Sequence, residues 1–214
     1  YCLSIGLCVL SEKTQNLAII GDYSYLFAML AFLVLPFLAI WIFRKNEDED
    51  HVLSLEWNAK EALQGLLIAC ALFLPVLLGV YIWRTGIGSE SFHFSLSNYQ
   101  RLDQALWFSL LVQLFLVALP EEFFYRGYLQ TSILKLAKNR FNDRKSKVLA
   151  ITVTSLLFAL GHVFVSGAII RLNTFFPSLL FGYLRIKNKT LTACIVLHAL
   201  SNIMMEVISV HFFP

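Results

Sequence analysis

Residues 102–136 read LDQALWFSLLVQLFLVALPEEFFYRGYLQTSILKL. The run is mainly apolar over 102–119 and is interrupted by Pro120-Glu121-Glu122. It resumes as Phe123-Phe124-Tyr125-Arg126-Gly127-Tyr128-Leu129, with apolar spacing continuing to Leu136. A hydrocarbon core about 30 Å thick takes roughly 20 apolar helical residues to cross. The stretch therefore predicts one long, proline-kinked transmembrane helix whose last turns reach the interface. Its two adjacent carboxylates fall where a charge costs on the order of 3 kcal/mol.

The rest of the chain fits that solvent. Of its 214 residues, 58% are hydrophobic and 14% charged, with a mean hydropathy of +0.69. Soluble domains are about a quarter charged and under half apolar. Further apolar stretches at 17–43, 62–83, 148–165, 168–184 and 191–213 complete an all-α, polytopic transmembrane bundle of about six helices. The expected organisation is one integral membrane unit. Residues 1–101 supply N-terminal transmembrane helices and loops, and 102–214 the chemistry-bearing bundle. The apolar residues 1–10, ahead of Ser11-Glu12-Lys13, are too short to span alone. They suit the end of an earlier helix or of a leader, and a start at Tyr1 suggests a segment upstream.

Charge sets orientation. In an alternating six-helix arrangement, thirteen of the seventeen Lys and Arg residues fall on one side. They include the basic loop at 138–147, which the positive-inside tendency assigns to the cytoplasm. A net charge of +3 gives nucleic-acid binding no support. Cys2, Cys8, Cys70 and Cys194 lack paired spacing and read as small buried hydrophobes.

Four ionisable residues stand inside apolar helices: Glu121, Glu122, His162 and His198, accompanied by Arg126 and Asn202. With a rise of 1.5 Å per residue, Glu121, His162 and His198 lie roughly 15, 21 and 10 Å from the cytoplasmic edge, compatible with one cluster. Glu122 and Arg126 are i,i+4 and can neutralise each other. Glu121 points about 100° away from them, with Tyr125 on its face. His198 and Asn202 also share a face.

Taken singly, each of these residues has a structural use, as packing or interhelical glue. Together they suit hydrolysis. An apolar setting disfavours a carboxylate's charge, and a carboxylate beside a histidine can take a proton from water and pass it to a leaving amine. A second histidine and an amide can steady a tetrahedral oxyanion. The same residues could instead ligate zinc, although the H-E-x-x-H pattern is absent. A proton-relaying transporter or a non-catalytic membrane scaffold or immunity protein are the remaining classes. His51, His93 and His211 read as solvated or interfacial.

Glu121-Glu122-Phe123-Phe124-Tyr125-Arg126, Phe158-Ala159-Leu160-Gly161-His162 and His198-Ala199-Leu200-Ser201-Asn202 stand as E-E-x-x-x-R, F-x-x-x-H and H-x-x-x-N on successive helices. In that order they resemble the CPBP family of intramembrane proteases, which includes type II CAAX prenyl endopeptidases and bacteriocin-processing or immunity relatives. The resemblance covers about 103–206. It implies a glutamic, metal-free endopeptidase in which Glu121 and His162 activate water and His198 and Asn202 stabilise the oxyanion. Glu122 and Arg126 would support them. It further implies a membrane-associated or lipidated protein or peptide substrate and a multi-pass place in a membrane, with a prokaryotic cytoplasmic membrane expected.

Overall fold

The computed structural model describes residues 30, 32–35, 38, 56–86, 107–188 and 190–212. Most of the expected first helix at 17–43 lies outside the described residues, as do residues 1–10 with Cys2 and Cys8, His51 and His93. Helix α1 covers Ala59–Gly86, α2 Trp107–Lys138 and α3 Asp143–Ser166. A 3-10 stretch, Ile169–Thr174, leads into α4, Phe175–Lys187, and α5 follows as Thr192–Phe212.

Local chemistry fixes the helix ends. Asn58 opens α1 by accepting from the amides of Lys60 and Glu61 at 3.0 and 3.3 Å, and Asn142 opens α3 by accepting from Lys145 N at 2.9 Å. Both satisfy donors that a first turn leaves orphaned. Gly167 closes α3 at φ 68°, a left-handed position that glycine takes without a Cβ clash.

Among the described residues, three segments are long and apolar enough to cross a bilayer: Ala59–Gly79, Trp107–Lys138 and Asp143–Ser166. The exposure pattern agrees. Leu67, Leu74, Phe108, Phe164, Ile169 and Phe176 face outward, while Glu122, Arg126, Gln130, Ser178 and His198 are buried. Apolar exterior over polar interior is the arrangement lipid favours, since nothing outside the bundle can pair a polar group. The chain is an integral membrane protein.

Helix α5 is the axis of the bundle. It packs along α1, where Gly65 brings the helices so close that a Cβ there would lie 2.7 Å from the Ala193 carbonyl oxygen. A polar latch ties the starts of the two helices. Thr190 Oγ1 donates to Glu61 at 2.6 Å, Asn58 N donates to Thr192 Oγ1 at 3.0 Å, and Asn188 donates to Gln64 at 2.9 Å. On the other side, Phe32 of a helical fragment at 32–35 packs against Phe124 and Tyr125 of α2.

Several expectations need correction. The break in α2 is not a simple proline kink: Leu119–Glu122 is α-helical between two π-helical stretches, Val112–Ala118 and Phe123–Gln130. The loop expected at 138–147 shrinks to 139–142, because α3 begins at Asp143 with a capped turn. The expected fifth crossing at 168–184 is a 3-10 stretch followed by 13 helical residues. Those 13 residues rise only about 20 Å, short of the hydrocarbon thickness. Cys70 is exposed on α1, whereas Cys194 is buried as expected.

Candidate active site

The widened turns of α2 decide which side chains enter the bundle. A π-helical stretch inserts extra residues into a turn and is most often found where function needs a particular projection. Here the second stretch buries Phe123, Phe124, Tyr125, Arg126, Gly127 and Gln130 together, a broader face than an α-helix would present. Thr131 Oγ1 donates to the Arg126 carbonyl at 3.3 Å, taking up a backbone acceptor beside the altered turn.

Arg126 lies at the centre with no exposed surface. Its Nη1 donates to Glu122 Oε1 at 2.9 Å, and its Nη2 donates to Ser178 Oγ at 2.7 Å and to the Ser178 carbonyl at 3.3 Å. The guanidinium carbon sits 4.6 Å from the Phe158 ring centroid and 5.1 Å from that of Phe181. Planar donors and a weakly hydrated cation suit this slot, in which ring faces supply attraction that water cannot. One turn further on, Gln130 Nε2 donates to the Gly182 carbonyl at 2.9 Å. Gly182 permits that approach: a Cβ there would stand 3.0 Å from Gln130 Oε1.

His198 lies between the two glutamates. Its Nδ1 is 2.8 Å from Glu122 Oε1, and its Nε2 is 3.8 Å from Glu121 Oε2. With Glu122 ionised against Arg126, its carboxylate only accepts, so Nδ1 carries the hydrogen. The ring is stacked on Phe181, 17° from parallel at 5.2 Å, and meets Phe158 edge-on at 5.8 Å. His162 rests edge-on against the same Phe158 at 4.5 Å, with its Nε2 also 3.8 Å from Glu121 Oε2. That oxygen is buried and without a hydrogen-bond partner among the described residues. At 3.8 Å neither histidine bonds it directly, and the spacing suits one bridging water.

Asn202, one turn beyond His198, donates to Gln113 Oε1 at 2.8 Å. A cavity of about 870 Å³ opens beside these groups, bounded by α1, α2, α3, α4, α5 and the 3-10 stretch. His162, His198, Ser201 and Asn202 line it, with apolar walls that include Phe73, Leu180 and Phe181. Glu121 and Glu122 are not among the lining residues. The imidazoles thus face the space a substrate can reach, and the carboxylates stand behind them.

Every site residue read from the sequence falls in this cluster. Arg126, Glu122, His198, Glu121 and His162 follow one another in a chain of contacts, and Asn202 joins on the same face of α5 as His198. The Tyr125 ring packs edge-on against Phe158 at 4.9 Å within an aromatic group. Three contributors escaped the sequence reading. Gln113 is a lone amide in an apolar run and was findable on that ground. Ser178 and Phe181 carry no such signal, being a small residue and one phenylalanine among 19. No group of three or more His, Cys, Asp or Glu side chains among the described residues has an arrangement able to hold a metal ion.

The family model described as type II CAAX prenyl endopeptidase Rce1-like matches residues 103–204. Comparison with curated proteins and with solved structures gives no match. The matched segment begins just ahead of α2 and ends within α5, so it holds every residue of the cluster. Residues 103–204 are thus similar to the Rce1-like type II CAAX prenyl endopeptidases.

Proposed function

We propose that this protein is a glutamic intramembrane endopeptidase that hydrolyses a peptide bond in a membrane-associated or lipidated protein or peptide. The observation that carries the reading is Glu121 Oε2, a buried acceptor with no hydrogen-bond partner among the described residues, 3.8 Å from the Nε2 atoms of both His162 and His198. A water bridging this carboxylate and His162 is held against a general base at the edge of the cavity.

The steps follow from the donors present. Glu121, with His162, removes a proton from the water, whose oxygen bonds to the scissile carbonyl carbon. Negative charge then gathers on the carbonyl oxygen. Asn202 has a second amide hydrogen beyond the one given to Gln113, and it aids the oxyanion. His198 donates from Nε2 only as the imidazolium, because its Nδ1 hydrogen is committed to Glu122. The carbon–nitrogen bond breaks as the proton taken from water passes through His162 to the leaving amine. Glu122 and Arg126 position His198 and do not touch the reacting atoms.

The substrate class rests on family and solvent. Type II CAAX prenyl endopeptidases act on prenylated chain ends, and a cavity walled by Phe73, Leu180 and Phe181 suits an apolar segment delivered from the bilayer.

The test is co-expression of wild type, Glu121→Gln and His162→Ala with candidate lipidated and secreted proteins, followed by mass spectrometry of their termini. A processed terminus present with wild type and lost with both variants, at equal membrane abundance, supports the reading and names the substrate. A processed terminus that survives Glu121→Gln sinks the glutamic mechanism. Metal analysis is the companion arm: stoichiometric zinc with chelator-sensitive cleavage would replace the metal-free route.

A further inference from the structure

At the end of the bundle where α2 turns into α3, a groove of about 710 Å³ lies on the surface of α3, lined among others by Phe141, Arg144, Lys145, Val148, Leu149 and Thr152. We propose that this groove binds an anionic phospholipid, with the phosphate on Arg144 and Lys145 and an acyl chain along Val148, Leu149 and Thr152.

The chemistry is graded along one helix. Arg144 and Lys145 lie in the first turn of a membrane-crossing helix, and Thr152 lies eight residues deeper, about 12 Å along the axis. With α3 crossing the bilayer from this end, its first turn falls at head-group depth and the next two in hydrocarbon. Phe141, Val148 and Leu149 are exposed there, so the apolar half of the groove faces acyl chains.

The cations are available. Asp143, the acid in this turn, is occupied by Lys147 at 2.6 Å and approached by Lys138 at 3.8 Å. No ion pair among the described residues engages Arg140, Arg144 or Lys145. Unpaired cations above an apolar floor complement a phosphate joined to a chain. A choline or ethanolamine head group would add a cation to a cationic site, so net negative lipids are selected. The groove is remote from the cluster around Glu121 and shares no lining residue with the catalytic cavity. It therefore stands or falls independently of the protease reading.

Native mass spectrometry of the detergent-purified protein tests it, with phosphatidylglycerol and phosphatidylcholine of identical chains as probes. Wild type is expected to retain phosphatidylglycerol preferentially, and Arg144→Gln/Lys145→Gln to weaken that retention about 30-fold. Leu149→Glu should weaken it as well, while Lys135→Gln/Lys138→Gln, matched in charge but outside the groove, should not. Equal retention of both lipids by wild type overturns the proposal, as does equal loss in the matched control. Displacement by equimolar sn-glycerol 3-phosphate would show a soluble-anion site and also overturn it.

Discussion

Arg126 illustrates how much one buried side chain can organise. Glu122 accepts from it, Ser178 accepts from it twice, and two phenylalanine rings close on its faces. Breaking a buried ion pair from one side leaves an uncompensated charge and costs about 3–5 kcal/mol. Arg126→Met should therefore lower the thermal midpoint sharply in detergent. Glu122→Gln/Arg126→Met should recover much of the loss, because the second change removes the stranded charge. A double variant no more stable than the single would mean that the arginine matters for ring packing instead. Arg126→Lys is expected to fall between wild type and Met, since one ammonium cannot reproduce the fork to Glu122 and Ser178.

Among the helices, α5 carries His198 and Asn202, and its position depends on how closely α1 approaches. A Cβ at Gly65 would meet the Ala193 carbonyl oxygen at 2.7 Å, Val196 Cβ at 3.2 Å and Leu197 N at 3.3 Å. These are mostly backbone atoms, so α5 must move rather than a side chain swing away. Gly65→Ala is predicted to reduce both stability and cleavage. Gly79→Ala, on the same helix with nothing among the described residues within 4 Å of its Cβ, should be neutral or stabilising by roughly 0.5–1 kcal/mol. Comparing the pair in thermal unfolding separates helix packing from helix propensity, and equal effects would count against the close approach. At this scale the sequence was informative where solvent dictates pattern. Apolar length disclosed α1, α2 and α3, and misplaced charge disclosed Glu121, Glu122, His162 and His198. It was silent where geometry departs from 3.6 residues per turn. Nothing in the residue pattern announced the π-helical turns of α2, and a 100° phase set Glu121 apart from Glu122 although one imidazole lies between them. The stretch 168–184 looked like a crossing because hydropathy averages over Arg171 and the 3-10 turn, neither of which continues a helix through lipid.

For the molecule as a whole, the chemistry is far from the basic end. Helix α3 starts at Asp143 beside Arg140, Arg144 and Lys145, whereas His162 lies four residues from its other end at Ser166. The cavity follows His162 and is lined there by Ala168, Arg171 and Thr174. If α3 spans the bilayer, Arg140 and Ile169 lie on opposite sides, and the cavity is closer to the side bearing fewer cations. Single cysteines test this in a background without native cysteines, with Arg140→Cys and Ile169→Cys challenged by a membrane-impermeant thiol reagent in oriented vesicles. Ile169 is 77% exposed, so the reagent can reach it once on the correct side. The expected result is labelling of one position in right-side-out vesicles and of the other in inverted vesicles. The positive-inside tendency further predicts that position 140 is the one labelled from the cytoplasmic side. Labelling of both from one side would mean that α3 does not cross, and the mid-membrane setting of the Glu121 cluster would fall with it. Opposite labelling in the reverse sense would keep the span and overturn the charge-based orientation. In that case the cavity, and the substrate it receives, would belong to the cytoplasmic face.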